Sequence, residues 1–214
     1  MVIGTPIALT VLAEAGLFSG AALLMGRIGE SELAAHTLAL NLAALAFQIP
    51  FGIAQAATIR VGFHFGAGDR AAAGRAGWSA MALSVAFMGT TATAMLAAPH
   101  LILRLYVDTE DAKNAVMVGL AVQYLMVAAA FQLFDGAQAV AAGALRGLQD
   151  TRTPMVIAVL GYWAIGFVTA IGLGFYSALQ GVGVWLGLAV GLVVVAGLLS
   201  WRWHRRERLG LLPV

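Results

Sequence analysis

Two acidic residues, Glu14 and Asp135, lie in the middle of long apolar stretches of this 214-residue chain. The other eight acidic residues, and all twelve Lys and Arg residues, fall at the ends of such stretches or outside them. A charge near the centre of a bilayer costs roughly 2.5–3.5 kcal/mol even on the mildest scale. A carboxylate without a basic partner at its depth therefore needs a mobile one, a proton or a metal cation. These two residues predict ion-coupled transport, although spacing alone does not show that they meet.

Polar side chains form two stripes on the helices that these stretches predict: Asn41, Gln48 and Gln55, and then Gln132, Asp135 and Gln138. Members of the first stripe are seven residues apart, nearly two helical turns, so one face carries them. Members of the second are three apart, which is again roughly one face. Lipid would leave amides poorly satisfied, so both stripes should face protein or water. Hydrogen bonding between helices and lining of a cavity both remain open for the amides.

The composition is that of an integral membrane protein. The chain is 61% hydrophobic and 10% charged, with a mean hydropathy of +0.91, whereas soluble domains are about 25% charged. There is no cysteine and hence no disulfide framework. The histidines form no metal-ligand pattern, and the glycines near Gly66 form no phosphate-binding loop. We therefore expect no cofactor, and an intramembrane enzyme is the least supported class.

Six stretches are long enough to span a bilayer, which takes about 20 apolar residues. They cover residues 3–25, 33–61, 77–98, 115–145, 155–177 and 183–201. The second and fourth are long enough to tilt, kink or extend beyond the bilayer, and Pro50 is a plausible kink in the second. The predicted fold is an all-α membrane protein with one six-span unit, residues 1–203, and a basic tail, residues 204–214.

The basic residues predict the orientation of these spans. Nine lie on one side: Arg60, Arg70, Arg75, Arg146, Arg152, Arg202, Arg205, Arg206 and Arg208. Three lie on the other: Arg27, Arg104 and Lys113. Cytoplasmic loops carry the excess of Lys and Arg, so the nine-residue side and both termini should be cytoplasmic. The basic tail is interpreted as an anchor on membrane lipid, and no nucleic-acid partner is expected.

Several motifs resemble those of the multidrug and toxic compound extrusion (MATE) family, and they occur in family order. They are residues 4–8 (GTPIA) before Glu14, 33–41 (LAAHTLALN), 56–62 (AATIRVG), 66–69 (GAGD), 134–138 (FDGAQ) and 143–154 (GALRGLQDTRTP). The chain is similar to the second half of the bacterial sodium-type branch, whose members have two six-span lobes. The resemblance implies one C-terminal lobe in a bacterial cytoplasmic (inner) membrane. Its partner would be an N-terminal lobe, in the same chain if that chain is full length, otherwise in a partner chain or a second copy.

The resemblance also implies a site and a substrate class. The cation-site residues of that branch carry over to Glu14 and Asp135, where sodium could bind. The family site can include a Tyr one turn before the Asp, and this sequence has Phe131 there, so sodium and proton coupling both stay open. The substrates would be organic cations and other amphipathic drugs, exported against cation influx by alternating access.

Two rival functions remain. A lipid-linked oligosaccharide flippase of the same superfamily commonly displays basic residues in its cavity, and none is evident within these spans. A non-transporting fragment that needs a partner lobe is the other, because six spans without the opposing lobe cannot form a two-lobed cavity.

Overall fold

A computed structural model describes residues 4–212, and this part of the chain is helical throughout, with short loops and no strand. The helices are α1 (Gly4–Ile28), α2 (Glu30–Gly66), α3 (Arg70–Ala97), α4 (Pro99–Leu103), α5 (Ala115–Gly147), α6 (Arg152–Val159), α7 (Val168–Phe175) and α8 (Gln180–His204). A 3₁₀ turn, Ala112–Asn114, precedes α5, and a π-helical segment, Leu160–Phe167, joins α6 to α7. Six spans have the length and apolar character to cross a membrane, which confirms the predicted all-α fold.

The helices differ in length from the predicted apolar spans. The third was predicted to begin at residue 77, but α3 begins at Arg70, because the Asp69 side chain accepts a hydrogen bond from the Ala72 N–H at 2.8 Å and caps the helix. The second was predicted to cover residues 33–61, whereas α2 runs from Glu30 to Gly66. Hydropathy marks the part of a helix that lipid surrounds, while the helix itself continues into the polar interface.

The long helices α2 and α5 form the centre of the fold. Gly143 and Gly147 of α5 face the backbone of α2, and a Cβ on Gly143 would lie within 3.2 Å of three backbone atoms of Ala54. The Thr58 hydroxyl lies 2.9 Å from the Ala54 carbonyl of its own helix and 2.9 Å from the Gly143 carbonyl across this contact, and its single hydrogen is shared between them. Small residues that allow such close approach are typical of helix pairs in membranes. The contact sets the spacing of the two helices that carry both polar stripes.

The fifth span consists of α6, the π segment and α7, and the sixth span is α8. The two spans pack against each other through their backbones. Gly183, Gly187 and Gly191 of α8 lie one turn apart, and a Cβ on any of them would meet main-chain atoms of the fifth span within 3 Å. Glycine at these positions allows this distance because no side chain separates the helices. The π segment faces α1 on its other side, where Trp163 covers Gly16 and Phe167 covers Gly20.

The C-terminal end of α8 and the residues that follow it pack against this bundle. Arg202 pairs with Asp150 at 2.5 Å in a mostly buried position, and the Arg206 guanidinium lies 4.6 Å from the centre of the Trp203 ring. The predicted tail boundary at residue 204 falls at the last residue of α8. Part of the basic segment is thus packed against the six-helix unit.

Candidate functional site

A cavity of about 370 Å³ opens between α1, α2 and α5. Its walls are largely apolar and include four phenylalanines: Phe18, Phe47, Phe51 and Phe131. The polar and charged residues that line it are Thr10, Glu14, Gln55, Asp135, Gln138 and Arg146. Small-molecule sites have volumes of about 300–1,000 Å³ and combine apolar walls with a few polar groups. This cavity therefore has the size and composition of a ligand site.

Both predicted carboxylates line this cavity, although they lie on different helices. Glu14 is on α1 and Asp135 on α5, and the two are close enough to interact electrostatically. Asp135 is 7% exposed, and its Oδ1 has no hydrogen-bond partner among the described residues. Gln138 lies almost one turn after Asp135 on the same face of α5, and it lines the same cavity as Glu14. The second stripe thus contributes one carboxylate and one amide to the cavity wall.

The other members of the two stripes divide between the cavity and other faces. Gln55 lines the cavity, but Asn41 and Gln48 do not, and both are exposed. A heptad spacing drifts by about 20° per repeat on a straight helix, so these three residues do not share one direction. Leu40 lies on the cavity face of α2, and Asn41 follows it at about 100° around the helix. Gln55, fourteen residues after Asn41, points about 40° closer to that face than Asn41 does.

Gln132 does not line the cavity. It is buried, and its Nε2 donates to the Met88 carbonyl of α3 at 3.3 Å. A spacing of three turns the direction by about 60° per step, so Gln132 and Gln138 lie about 120° apart around α5. Of the two alternatives open for Gln132, the structure therefore favours hydrogen bonding between helices over lining of this cavity.

Phe131 lines the cavity one turn before Asp135 and is 2% exposed. Its ring stacks on Trp185 of α8 with centroids 5.8 Å apart and an angle of 23° between planes. This residue has no hydroxyl to offer to an ion, so it forms part of the apolar wall. Two carboxylates, two amides (Gln55 and Gln138) and the Thr10 hydroxyl are the cavity groups with oxygen atoms that could contact a cation. No cluster of three or more His, Cys, Asp or Glu side chains exists within residues 4–212.

Sequence analysis missed Arg146 as a cavity residue. It lies in the last turn of α5, yet its side chain lines the cavity, and it has no ion-pair or hydrogen-bond partner in the described part of the chain. Arg146 lies one residue beyond the predicted span 115–145, within which no basic residue was evident, and it still reaches the cavity. Its position, eleven residues after Asp135 and on the same face, could have indicated this, because eleven residues make about three turns.

His36 on α2 is 1% exposed, and neither ring nitrogen has a hydrogen-bond partner among the described residues. Its ring lies edge-on to Trp185, with centroids 5.5 Å apart, and Trp185 in turn stacks on Tyr124. This aromatic cluster supports the wall that carries Phe131. Sequence alone gave no signal for it, because its members come from three separate helices.

Six helices long and apolar enough to span a membrane, three of which enclose a cavity lined by two carboxylates, define a multi-pass α-helical membrane protein. The sequence profile of the family described as MatE matches residues 6–171. The chain belongs to this family, as the motifs predicted.

Curated relatives agree. A probable multidrug resistance protein NorM from Mesorhizobium japonicum is 47% identical over 207 residues, which cover 97% of this chain and 44% of the relative. The multidrug resistance protein NorM of Burkholderia vietnamiensis is 49% identical over 202 residues, covering 94% of this chain and 44% of the relative. The chain thus spans somewhat less than half the length of the curated relatives it matches, as expected of one lobe.

Solved structures show the same fold. The crystal structure of the eukaryotic MATE transporter AtDTX14 matches with a TM-score of 0.83 at 24% identity, covering 98% of this chain and 48% of that one. A MOP superfamily transporter from Pyrococcus furiosus, described as having a binding pocket of reverse polarity, matches with a TM-score of 0.81 at 21% identity. The match covers 94% of this chain and 43% of that one. At these identities the comparison establishes the fold alone.

Proposed function

We propose that this chain forms the C-terminal lobe of a cation-coupled multidrug antiporter that exports organic cations and other amphipathic drugs by alternating access. The observation that carries the proposal is the pairing of Glu14 with Asp135 in an apolar cavity of about 370 Å³. A coupling ion, sodium or a proton, would occupy the carboxylates in one state. A drug cation would replace it in the other, with its apolar body against the aromatic wall.

A second six-span lobe completes this proposal, because the chain spans 44% of its NorM relatives. The exposed stripe of Asn41 and Gln48 on α2 supports a face covered by more protein, since lipid would leave these amides poorly satisfied. The second lobe would come from the same gene product, from a partner chain or from a second copy of this chain. The nine-to-three excess of basic residues supports cytoplasmic termini in a bacterial inner membrane.

The charge of the cavity favours export of cations over flipping of a pyrophosphate-linked lipid. Two carboxylates and one arginine line it, and with both carboxylates ionised the sum is +1 − 2 = −1. A cavity for pyrophosphate would need an excess of positive charge. Arg146 alone does not supply that excess.

The test is efflux of ethidium from cells that express the complete gene product carrying this chain, in a host without other efflux pumps. We expect Glu14→Gln and Asp135→Asn to reduce gradient-driven efflux to background without loss of membrane insertion. The matched control is Glu30→Gln, the same change at an exposed carboxylate at the start of α2. Gradient-driven efflux that survives in both cavity variants would refute the proposal.

A further inference from the structure

A second, much smaller cavity of about 10 Å³ lies beside the carboxylate cavity, at the end of α5. Both cavities are lined by Thr10, Ala142 and Arg146, so they are adjacent. A volume of about 10–15 Å³ is enough for one water molecule where polar groups surround it. The polar residues around the small cavity are Thr10, Arg146, Asp150 and Thr151. The small cavity therefore extends the large one as a narrow polar passage.

The passage follows one face of α5 away from the carboxylates. Residues three or four apart line this face: Asp135, Gln138, Ala142 and Arg146. From Asp135 to Arg146 this face is about 16 Å long. Asp150 lines the small cavity from the loop before α6, and the neighbouring Gln149 is exposed. The passage thus leads from the carboxylate cavity toward the side on which nine of the twelve basic residues lie.

Arg146 gives this passage a net positive charge. Asp150 is compensated by its ion pair with Arg202 at 2.5 Å, whereas Arg146 has no ion-pair or hydrogen-bond partner in the described part of the chain. The charges of these three side chains sum to +2 − 1 = +1. A fixed charge beside a narrow passage with low-dielectric walls repels ions of the same sign far more than it would in water. An arginine that only anchors a span would be exposed at the interface, but Arg146 is partly buried against both cavities.

We propose that Arg146 is an electrostatic barrier that stops cations from crossing this lobe through the passage. The coupling cation reaches the carboxylates from the large cavity, and the fixed charge opposes its escape along α5. An exchanger needs such a barrier, because a cation that crosses alone dissipates the gradient without export. The inference rests on the proposed function, since it assumes a cation gradient across this lobe. It goes beyond that function in assigning a leak route and the residue that closes it.

The test is cation leak into lipid vesicles that contain the purified complete gene product and no drug. Entry of radioactive sodium and entry of protons are measured separately. Arg146→Gln removes the charge, and the leak of at least one of these cations should rise by about tenfold to a hundredfold. That factor corresponds to repulsion at about 6–10 Å with an effective dielectric constant of 20. Arg146→Lys keeps the charge and should leak no more than the unmodified protein.

Two further variants control for specificity and for route. Arg152→Gln is the matched control, because Arg152 is an exposed arginine at the start of α6 and lines neither cavity. It should leak as the unmodified protein does. Ala142→Leu places a larger side chain where the two cavities meet. Combined with Arg146→Gln, it should return the leak to the unmodified level, and a leak that persists would run elsewhere and overturn the inference.

Thr151→Asp supplies a readout that leaves Arg146 unchanged. Thr151 lines the small cavity and is the N-cap residue of α6, a position at which Asp and Asn are both favoured. The added carboxylate would compensate the charge of Arg146, so the leak should rise. Thr151→Asn has the same shape without the charge and should not leak. This pair tests the barrier even if Arg146→Gln does not fold.

The barrier and the proposed function fail in different ways. The barrier is overturned if Arg146→Gln and Thr151→Asp leak no more than the unmodified protein, or if Arg146→Lys leaks as much as Arg146→Gln. The proposed function stands in either case if ethidium efflux remains driven by the gradient. If the unmodified protein exports no ethidium, the proposed function fails, while a leak that rises in Arg146→Gln and Thr151→Asp alone still supports a barrier to cations.

Discussion

Replacing Gly143 by alanine places a methyl group in the contact between α2 and α5. The new Cβ would lie 2.4 Å from the Ala54 carbonyl oxygen, whereas ordinary contact begins at 3.4 Å, so the two helices must separate by about 3.4 − 2.4 = 1.0 Å. The atom in the way belongs to the backbone, so no side-chain rotation can relieve the clash. The Thr58 hydroxyl would also lose its 2.9 Å hydrogen bond to the Gly143 carbonyl if this movement lengthens it.

The expected cost is the sum of these effects. Overpacking of a tight contact costs about 1–3 kcal/mol, and a hydrogen bond between membrane helices contributes about 0.6 kcal/mol. Alanine in place of glycine recovers about 0.8–1.0 kcal/mol of helix propensity. We therefore expect Gly143→Ala to lower the free energy of unfolding by about 1–3 kcal/mol. Export should also decline, because Gln55 and Asp135 lie on the two helices that move apart.

The assay is reversible unfolding in mixed micelles, followed by tryptophan fluorescence, beside ethidium efflux in cells. Gly119→Ala is the control, because Gly119 lies on the same helix and its added Cβ would have no atom within 4 Å. That variant should be as stable as the unmodified protein or up to about 1 kcal/mol more stable. Equal stability of the two alanine variants would refute the backbone-contact argument.

Three further predictions follow from single contacts. Trp163→Phe loses the N–H that donates to the Ala13 carbonyl but keeps a ring over α1, so unfolding free energy should fall by about 0.6 kcal/mol in the same micelle assay. Arg146→Gln removes a positive charge about 16 Å along α5 from Asp135. At an effective dielectric constant of 20, repulsion between that charge and a drug cation bound at Asp135 is about 1 kcal/mol, so the KM for ethidium efflux should fall about fivefold. Asp150→Asn leaves the mostly buried Arg202 without its anion and should lower unfolding free energy by about 1–3 kcal/mol.

Each of these has a contrasting variant. Trp163→Ala also removes the ring from Gly16 and should cost more than Trp163→Phe, so equal losses in the two Trp163 variants would contradict the assignment of the smaller loss to the N–H. For the ion pair, Glu110→Gln breaks an exposed contact with Arg104 and should cost less than about 1 kcal/mol. A KM for ethidium that does not change in Arg146→Gln would show that this charge is screened from the bound cation.

Hydropathy predicted the number and order of the spans, since lipid demands about 20 apolar residues per crossing. It did not predict where helices end, as Arg70 illustrates, because a cap such as Asp69 acts through one hydrogen bond that hydropathy does not record. The π segment at 160–167 was also not predictable. Its residues are as apolar as those of an α-helical span, and the wider turn leaves no compositional mark.

The sequence predicted which types of residue form the candidate site better than it predicted where their side chains point. Glu14 and Asp135 could be identified because an intramembrane charge is costly anywhere along a span. The direction of an amide is harder to predict: Gln132 and Gln138 were expected on one face, but they point to different neighbours.

The glycine contacts between α8 and the fifth span limit how these two spans can move relative to each other. No side chain separates the two backbones at these positions, so side-chain rotation cannot absorb a shift of one span against the other, and we expect the pair to move together. Trp163 and Phe167 of the fifth span lie over Gly16 and Gly20 of α1, the helix that carries Glu14. A shift of α1 on ion binding at Glu14 would therefore displace the paired spans, and by thermodynamic reciprocity the position of that pair would change the affinity for the ion by the same free energy. Ion binding and the position of two helices would then be a single equilibrium.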